Sequence, residues 1–211
     1  MDKLNKKYDK LQNKFGSSAL HSVYGYGQRN EPKVVLVFMN PTKRNIATDK
    51  SWNGLRAQWL GTKQIWSFLT KCGLFDLDIN EEIQNKKPCE WDSGFCEKVY
   101  CEVAKRGVWI TNLAKCSQED ARPLPDSVFV EYKELLKEEL LLLNPKKILF
   151  FGNQVSSIML EQPISVSCTR QRKFELSIKD KVFDSYAIFY PVGNGRFNQD
   201  KAIEDIKEIL K

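Results

Sequence analysis

The 211-residue chain holds one histidine, His21. That excludes every mechanism built on two imidazoles, and His21 itself is expected to be structural. Its six cysteines, Cys72, Cys89, Cys96, Cys101, Cys116 and Cys168, include no Cys-x-x-C pair, so the usual spacing of a zinc ribbon or dithiol redox centre is missing. No apolar run approaches the ~20 residues that a membrane-spanning helix needs. The opening stretch "MDKLNKKYDKLQNKF" is charged throughout and has no apolar h-region, unlike a secretory signal. The expected setting is therefore cytoplasmic, with the thiols reduced. Internal repeats and low-complexity tracts are absent.

What is there fits one globular unit. A hydrophobic fraction of 42% with 28% charged residues is ordinary for a folded soluble chain. The length suits one α/β domain with a sizeable core, so a single domain spanning 1–211 is expected, acting as a monomer. A net charge of +6 permits a polyanionic partner without requiring one.

The pattern along the chain alternates helix and strand. Leu4, Tyr8, Leu11 and Phe15 recur at helical spacing over 2–15. "VVLVF" (34–38) is a continuous β-branched and aromatic run, as in a strand buried on both faces. A helix is expected over 61–72 with Gly73 just past its end. Further strands are expected at 107–113, around 147–153 and at 184–190, and further helices at 97–106, 127–143, 153–160 and 199–211. The acidic, then Lys- and Pro-bearing stretch 76–94 reads as a long loop, part of an insertion at about 76–106. This alternation predicts a three-layer α/β/α sandwich around a central, mainly parallel, four-stranded sheet. Three strands run out into loops rich in Asn, Pro and Gly: "MNPTKRN", "TNLAKC" and "PVGNGRFN". Ligands of open α/β sheets bind beyond the carboxyl ends of the strands, so these loops should converge on one cleft.

Four segments, in order, carry a resemblance. "FMNPT" resembles the first motif of the uracil-DNA glycosylase superfamily, found in its branches as G-Q-D-P-Y, G-M-N-P-G, G-I-N-P-G or G-E-A-P-G. "QWLGTKQIWSFLTKCGL" resembles the P-F-x-G-x-x-G-x-x-L segment of the branch that carries an iron–sulfur cluster. "GVWITNLAKC" and the following "ARPLPDSVFVEYKELLKEELLLLNPKKILFFG" resemble that branch's I-T-N-x-V-K-C…R-x-P…L-G stretch, and "FYPVGNGR" resembles its Y-H-P-A-x-x-x-R loop. The likeness covers roughly 18–211 apart from 76–106. It implies a parallel α/β fold and an enzyme of base-excision repair, expected to be monofunctional because no Lys is clearly placed as a Schiff-base nucleophile. Such an enzyme flips a damaged base from DNA and hydrolyses its N-glycosidic bond, without metal or cofactor.

On that resemblance Asn40 takes the position where the superfamily has a catalytic Asp or Asn. An amide can orient a water but cannot serve as a base at neutral pH, so slower cleavage than from an Asp is expected, by ~10²-fold or more. Read alone, Asn40 could simply begin an Asn-Pro turn. Asn112 matches the family's base-reading Asn, whose amide can hold N3–H and O4 of uracil together; otherwise it caps a strand end. Trp59 stands at the Phe that stacks on the flipped base, or is a core aromatic. The backbone N–H of Met39 would contact the base.

The loop Pro191, Val192, Gly193, Asn194, Gly195 and Arg196 would enter the minor groove. There Gly193 and Gly195 permit close approach and Arg196 binds a phosphate. Tyr190 replaces the family's usual His, offering one hydrogen bond and no charge to the leaving base, with Asn194 as a further donor. Lys43, Arg44, Lys63 and Lys115 are expected near the cleft mouth, where cations neutralise phosphates. Cys116 matches one cluster cysteine, but Tyr132 stands where a partner is expected and the N-terminal Cys-x-x-C is missing. A family-type cluster is therefore not expected, and Cys89, Cys96, Cys101 and Cys116 fit no standard metal pattern. Two rivals stay open: a glycosylase for hypoxanthine, xanthine or mismatched thymine, and a nucleic-acid-binding module on the same fold without catalysis. Tyr190 and Thr42, which stands where the family has a glycine, favour the latter.

Overall fold

The computed structural model describes residues 1–121 and 124–211. Among them run the strands β1 (Tyr26–Gly27), β2 (Val34–Phe38), β3 (Val108–Asn112), β4 (Lys147–Phe151), β5 (Phe174–Ile178) and β6 (Lys181–Ile188). The helices are α1 (Asp2–Phe15), α2 (Gln64–Lys71), α3 (Leu77–Asn85), α4 (Ser93–Lys105), α5 (Asp126–Leu143), α6 (Asn153–Leu160) and α7 (Gln199–Ile209). The sheet order is β1-β3-β2-β4-β6-β5. Its inner four strands are parallel and both edges are antiparallel.

All five β2 side chains are buried because they alternate between two cores. Val34, Leu36 and Phe38 join residues of α2, α3, α4 and α7. Val35 and Val37 join residues of α1, α5 and α6. The result is an α/β/α sandwich. The sheet has six strands rather than the four expected. The missed β5 exposes Glu175 and Ser177 between buried Phe174, Leu176 and Ile178, a half-buried edge pattern that a search for continuous apolar runs passes over.

The stretch 76–94 is not a long loop. Asp76 accepts hydrogen bonds from the backbone N–H groups of Asp78 (3.0 Å) and Ile79 (3.2 Å) and starts α3. Asp92 accepts from Phe95 N–H at 2.7 Å and starts α4. The acidic residues that suggested a loop are N-caps, which satisfy donors the helix leaves open. Ile83, Phe95, Cys96, Val99, Tyr100 and Val103 are buried in the core beneath them. Helix α2 ends as expected: Gly73, at φ +75°, lets its own N–H reach Thr70 C=O and the Leu74 N–H reach Leu69 C=O. That pairing closes the last turn around a left-handed residue.

Candidate active site

A cavity of about 680 Å³ opens at the carboxyl ends of the parallel strands. Met39, Asn40 and Pro41 leave β2 into it, and Tyr190 follows β6. Its aromatic wall is built on Phe38. That ring stacks on Phe151 at 4.3 Å and meets Trp59 edge-on at 5.1 Å and Tyr190 edge-on at 6.1 Å. Its stacked and edge-on pairs are among the favoured aromatic geometries.

Asn40 is partly exposed, and its Nδ2 donates to Pro41 C=O at 3.2 Å. The amide is thereby turned so that Oδ1 is left as an acceptor. Trp59 holds φ +63°, rare for a bulky side chain and a mark of a built-in constraint. Its carbonyl accepts from Thr62 Oγ1 at 2.6 Å and Trp66 Nε1 at 3.3 Å, closing the turn that ends at Gly61 and Thr62. A Cβ on Gly61 would lie 2.6 Å from Ile46 Cγ2. This turn delays α2 to Gln64, later than the helix start expected at 61. The Trp59 Nε1 is buried without a partner among the described residues.

Tyr190 lines the cavity, and its hydroxyl has no hydrogen-bond partner among the described residues. Burial pushes this phenol well above its ordinary pKa, so it remains a neutral O–H donor. Gly195 sits so close beneath it that a Cβ there would lie 2.0 Å from the Tyr190 carbonyl oxygen. Val192, Gly193 and Gly195 line the cavity, while Pro191 is buried and its carbonyl accepts from Gln199 Nε2 at 2.9 Å. The loop coils as a 3-10 turn over Gly193–Asn198, and the side chain of Asn194 lies outside the described residues.

The structure moves two sequence-based assignments, Asn112 and Lys115, away from the cavity. Asn112 does not line the cavity: it is 1% exposed and donates from Nδ2 to Gln58 Oε1 at 2.9 Å. Gln58, which does line the cavity, was not singled out from the sequence. Lys115 is not at the cleft mouth but fully buried behind β3. There it donates to Thr111 Oγ1 (2.7 Å) and to Asn112 C=O, and pairs with Glu139 at 2.9 Å. Glu139 also accepts from Tyr8 Oη (2.8 Å) and Trp109 Nε1 (2.9 Å). Burial alone would raise the Glu139 carboxyl, but the Lys115 ammonium and these donors outweigh it and hold it low. Burial likewise lowers the Lys115 ammonium against the pull of Glu139. Lys63 lines the cavity with its ammonium bound to Gln84 C=O at 2.6 Å.

Arg44 is exposed on the rim, and Lys43 pairs with Glu119 at 3.5 Å just outside. Arg196 lies over the Phe197 ring at 5.4 Å, and Phe197 is 83% exposed. That solvent-facing aromatic on the cavity loop was also missed, although "GRFN" displays it openly. Among the described residues lining the cavity there is no carboxylate and no histidine. His21 lies apart, its backbone N–H bound to Thr48 C=O.

The profile of the Uracil DNA glycosylase superfamily matches residues 24–209. The chain belongs to the uracil-DNA glycosylase superfamily. No curated protein matches it in sequence. Membership brings a DNA glycosylase type of function, a hydrolase that acts on DNA. Among the described residues no ligand set is found for the iron–sulfur cluster that one branch of the superfamily carries. Cys116 is buried beside Gln118, burial raises its thiol, and no three Cys, His, Asp or Glu side chains converge among the described residues.

Proposed function

We propose that this member of the superfamily is a monofunctional DNA glycosylase. It would hydrolyse the N-glycosidic bond of uracil, or a related deaminated base, flipped out of DNA. The observation that carries the reading is the meeting of Asn40, Trp59 and Tyr190 on one cavity at the strand ends, with Gln58 in its wall and Asn112 hydrogen-bonded behind it.

In the reaction the bond from C1′ to the base nitrogen breaks and both electrons leave on the base. The sugar passes through an oxocarbenium-like state, and a water oxygen then bonds to C1′ and loses a proton to solvent, which in turn supplies the proton that neutralises the departed base anion. Asn40 Oδ1 holds that water. Because an amide takes up no proton, departure of the base runs ahead of water deprotonation. The neutral Tyr190 hydroxyl donates to the negative charge gathering on the base oxygen. Trp59 stacks on the base, and the exposed Phe197 fills the gap it leaves in the helix, as apolar wedges do elsewhere. Arg44, Lys43 and Arg196 meet phosphates on the rim. Lys63 is committed to Gln84 C=O and makes no imine with the sugar, so no strand cleavage follows base release. The reading takes the 211 residues as one domain, working as a monomer in the cytoplasm on nucleoid DNA.

Duplexes carrying uracil, hypoxanthine, xanthine or mismatched thymine, held with protein in excess, test it. The expected result is an abasic site from at least one of them. The second reading, a module that binds DNA without cutting, draws on the missing carboxylate and on Tyr190 and Thr42 in the cavity wall. It is supported by tight binding to an abasic duplex with no base released from any of the four.

A further inference from the structure

The superfamily resemblance leaves out residues 76–106, yet that stretch supplies part of the cavity wall. Pro88 opens the 3-10 turn Pro88–Glu90 between α3 and α4, and it lines the cavity together with Thr62, Lys63 and Gln64. Pro88 stays exposed while doing so, which puts it at the mouth rather than on the floor. The turn is held from both sides. Lys63 Nζ donates to Gln84 C=O at 2.6 Å, and Gln84 Nε2 donates back to Lys63 C=O at 3.3 Å. This reciprocal clasp joins the cavity wall to the last turn of α3, where a cation suits the open carbonyls of a helix end. On the other side Trp91 is buried and meets Phe95 edge-on at 4.9 Å.

What this frame leaves over is Lys87. Its side chain is exposed, and its ammonium has no partner among the described residues. The neighbouring cations are engaged: Lys63 with Gln84 C=O, Lys86 over the Phe95 ring at 4.7 Å and Lys98 with Glu82 at 2.6 Å. The carboxylate of Glu90, on the same turn, accepts from the Lys87 backbone N–H. An exposed proline ring beside an unpaired ammonium, at the mouth of a cavity in a protein that acts on DNA, suits a sugar–phosphate backbone.

We propose that the Lys87–Glu90 turn is a DNA-backbone contact that the 76–106 segment adds to the cavity mouth, with Lys87 on a phosphate and Pro88 against the adjoining sugar. This goes beyond the glycosylase reading: it needs duplex DNA at the cavity mouth, whether or not a base is released.

The test measures affinity for an abasic-site duplex against salt concentration for wild type, Lys87→Ala and Lys146→Ala. Lys146 is an exposed lysine just before β4, at the opposite, amino ends of the parallel strands. Its loss changes the net charge equally without touching the turn. Lys87→Ala is expected to reduce the slope of log affinity against log salt by about 0.9, which is about eightfold in affinity for each tenfold in salt. Lys146→Ala is expected to leave the slope unchanged. A second readout follows coverage of the turn in the wild type. Cys89 and Cys168 are both exposed. The duplex should slow iodoacetamide alkylation of Cys89, on the turn, several-fold and leave Cys168 unchanged. Duplex binding with an unaltered slope in Lys87→Ala, or with Cys89 alkylated as fast in the complex as in the free protein, overturns the contact and leaves the glycosylase reading standing. A wild type that binds no duplex overturns both. Should Lys87→Ala fail to fold, Cys89 protection in the wild type decides.

Discussion

Replacing Lys115 by Met removes one half of a charge pair that water does not reach: Lys115 is 0% and Glu139 2% exposed. Glu139 keeps its hydrogen bonds from Tyr8 and Trp109 but is left as a buried carboxylate without a counter-charge. Breaking a buried pair in this way costs about 3–5 kcal/mol. Glu139→Gln has a similar cost from the other side, since it strands the Lys115 ammonium. The double variant Lys115→Met/Glu139→Gln strands neither charge; the amide oxygen can accept from Trp109 Nε1 while the amide N–H donates to the Tyr8 hydroxyl oxygen, in place of the two carboxylate oxygens. It should therefore be more stable than either single variant, with a loss of about 1–2 kcal/mol. Urea unfolding followed by tryptophan fluorescence measures all four proteins, and unchanged slopes would attribute the shifts to stability.

The sign of the pH response gives a second check on the same pair. In the wild type the Glu139 carboxyl is held low, so its contribution is present above the ordinary carboxylate range and lost as pH falls through the folded value. Without Lys115, burial raises that carboxyl above its unfolded value. The folded state then binds the proton more tightly, and the variant should gain stability as pH falls from 8 towards the ordinary carboxylate range. Losses that simply add in the double variant, or no gain of Lys115→Met at lower pH, would refute the buried-pair reasoning.

Four further outcomes follow from the site. No side chain lining the cavity among the described residues is a carboxylate or histidine, so the single-turnover rate should be flat from about pH 5.5 to 9, and Asn40→Asp should introduce an acid limb. Tyr190→Phe should slow base release by about tenfold at every pH in that window, since the raised phenol never ionises there. Gly195→Ala sets a methyl against the Tyr190 carbonyl and should displace the loop, lowering base release more than thermal stability. Phe197→Ala, at an exposed position, should weaken retention of the flipped state with the melting temperature unchanged.

Much of this was legible in the sequence because the signals are local. "VVLVF" reads as a doubly buried strand, and it is one, with every side chain enclosed. "MNP" at its end announced the strand-end site, where Asn40 now lines the cavity. What stayed hidden depends on distant partners. Lys115, a lone cation in a strand-end loop, reads as a surface residue. Glu139, on a helix that begins only after the next loop, decides its burial. Gln58 opens the segment that holds Trp59 but was given no role there, and only the return of β3 alongside β2 brings Asn112 to it. The β5–β6 hairpin was half seen because β6 opens with exposed Lys181 and Val182, which mask a strand whose buried portion begins at Phe183.

The central claim, that Asn40 positions the attacking water of a DNA glycosylase, is tested most directly by single-turnover base release from a uracil-containing oligonucleotide, with wild type, Asn40→Ala and Asn112→Ala compared. The account predicts abasic-site formation by the wild type that falls at least ~10²-fold in Asn40→Ala. Release that survives Asn40→Ala undiminished would contradict it, as would a wild type that releases no base at high enzyme excess.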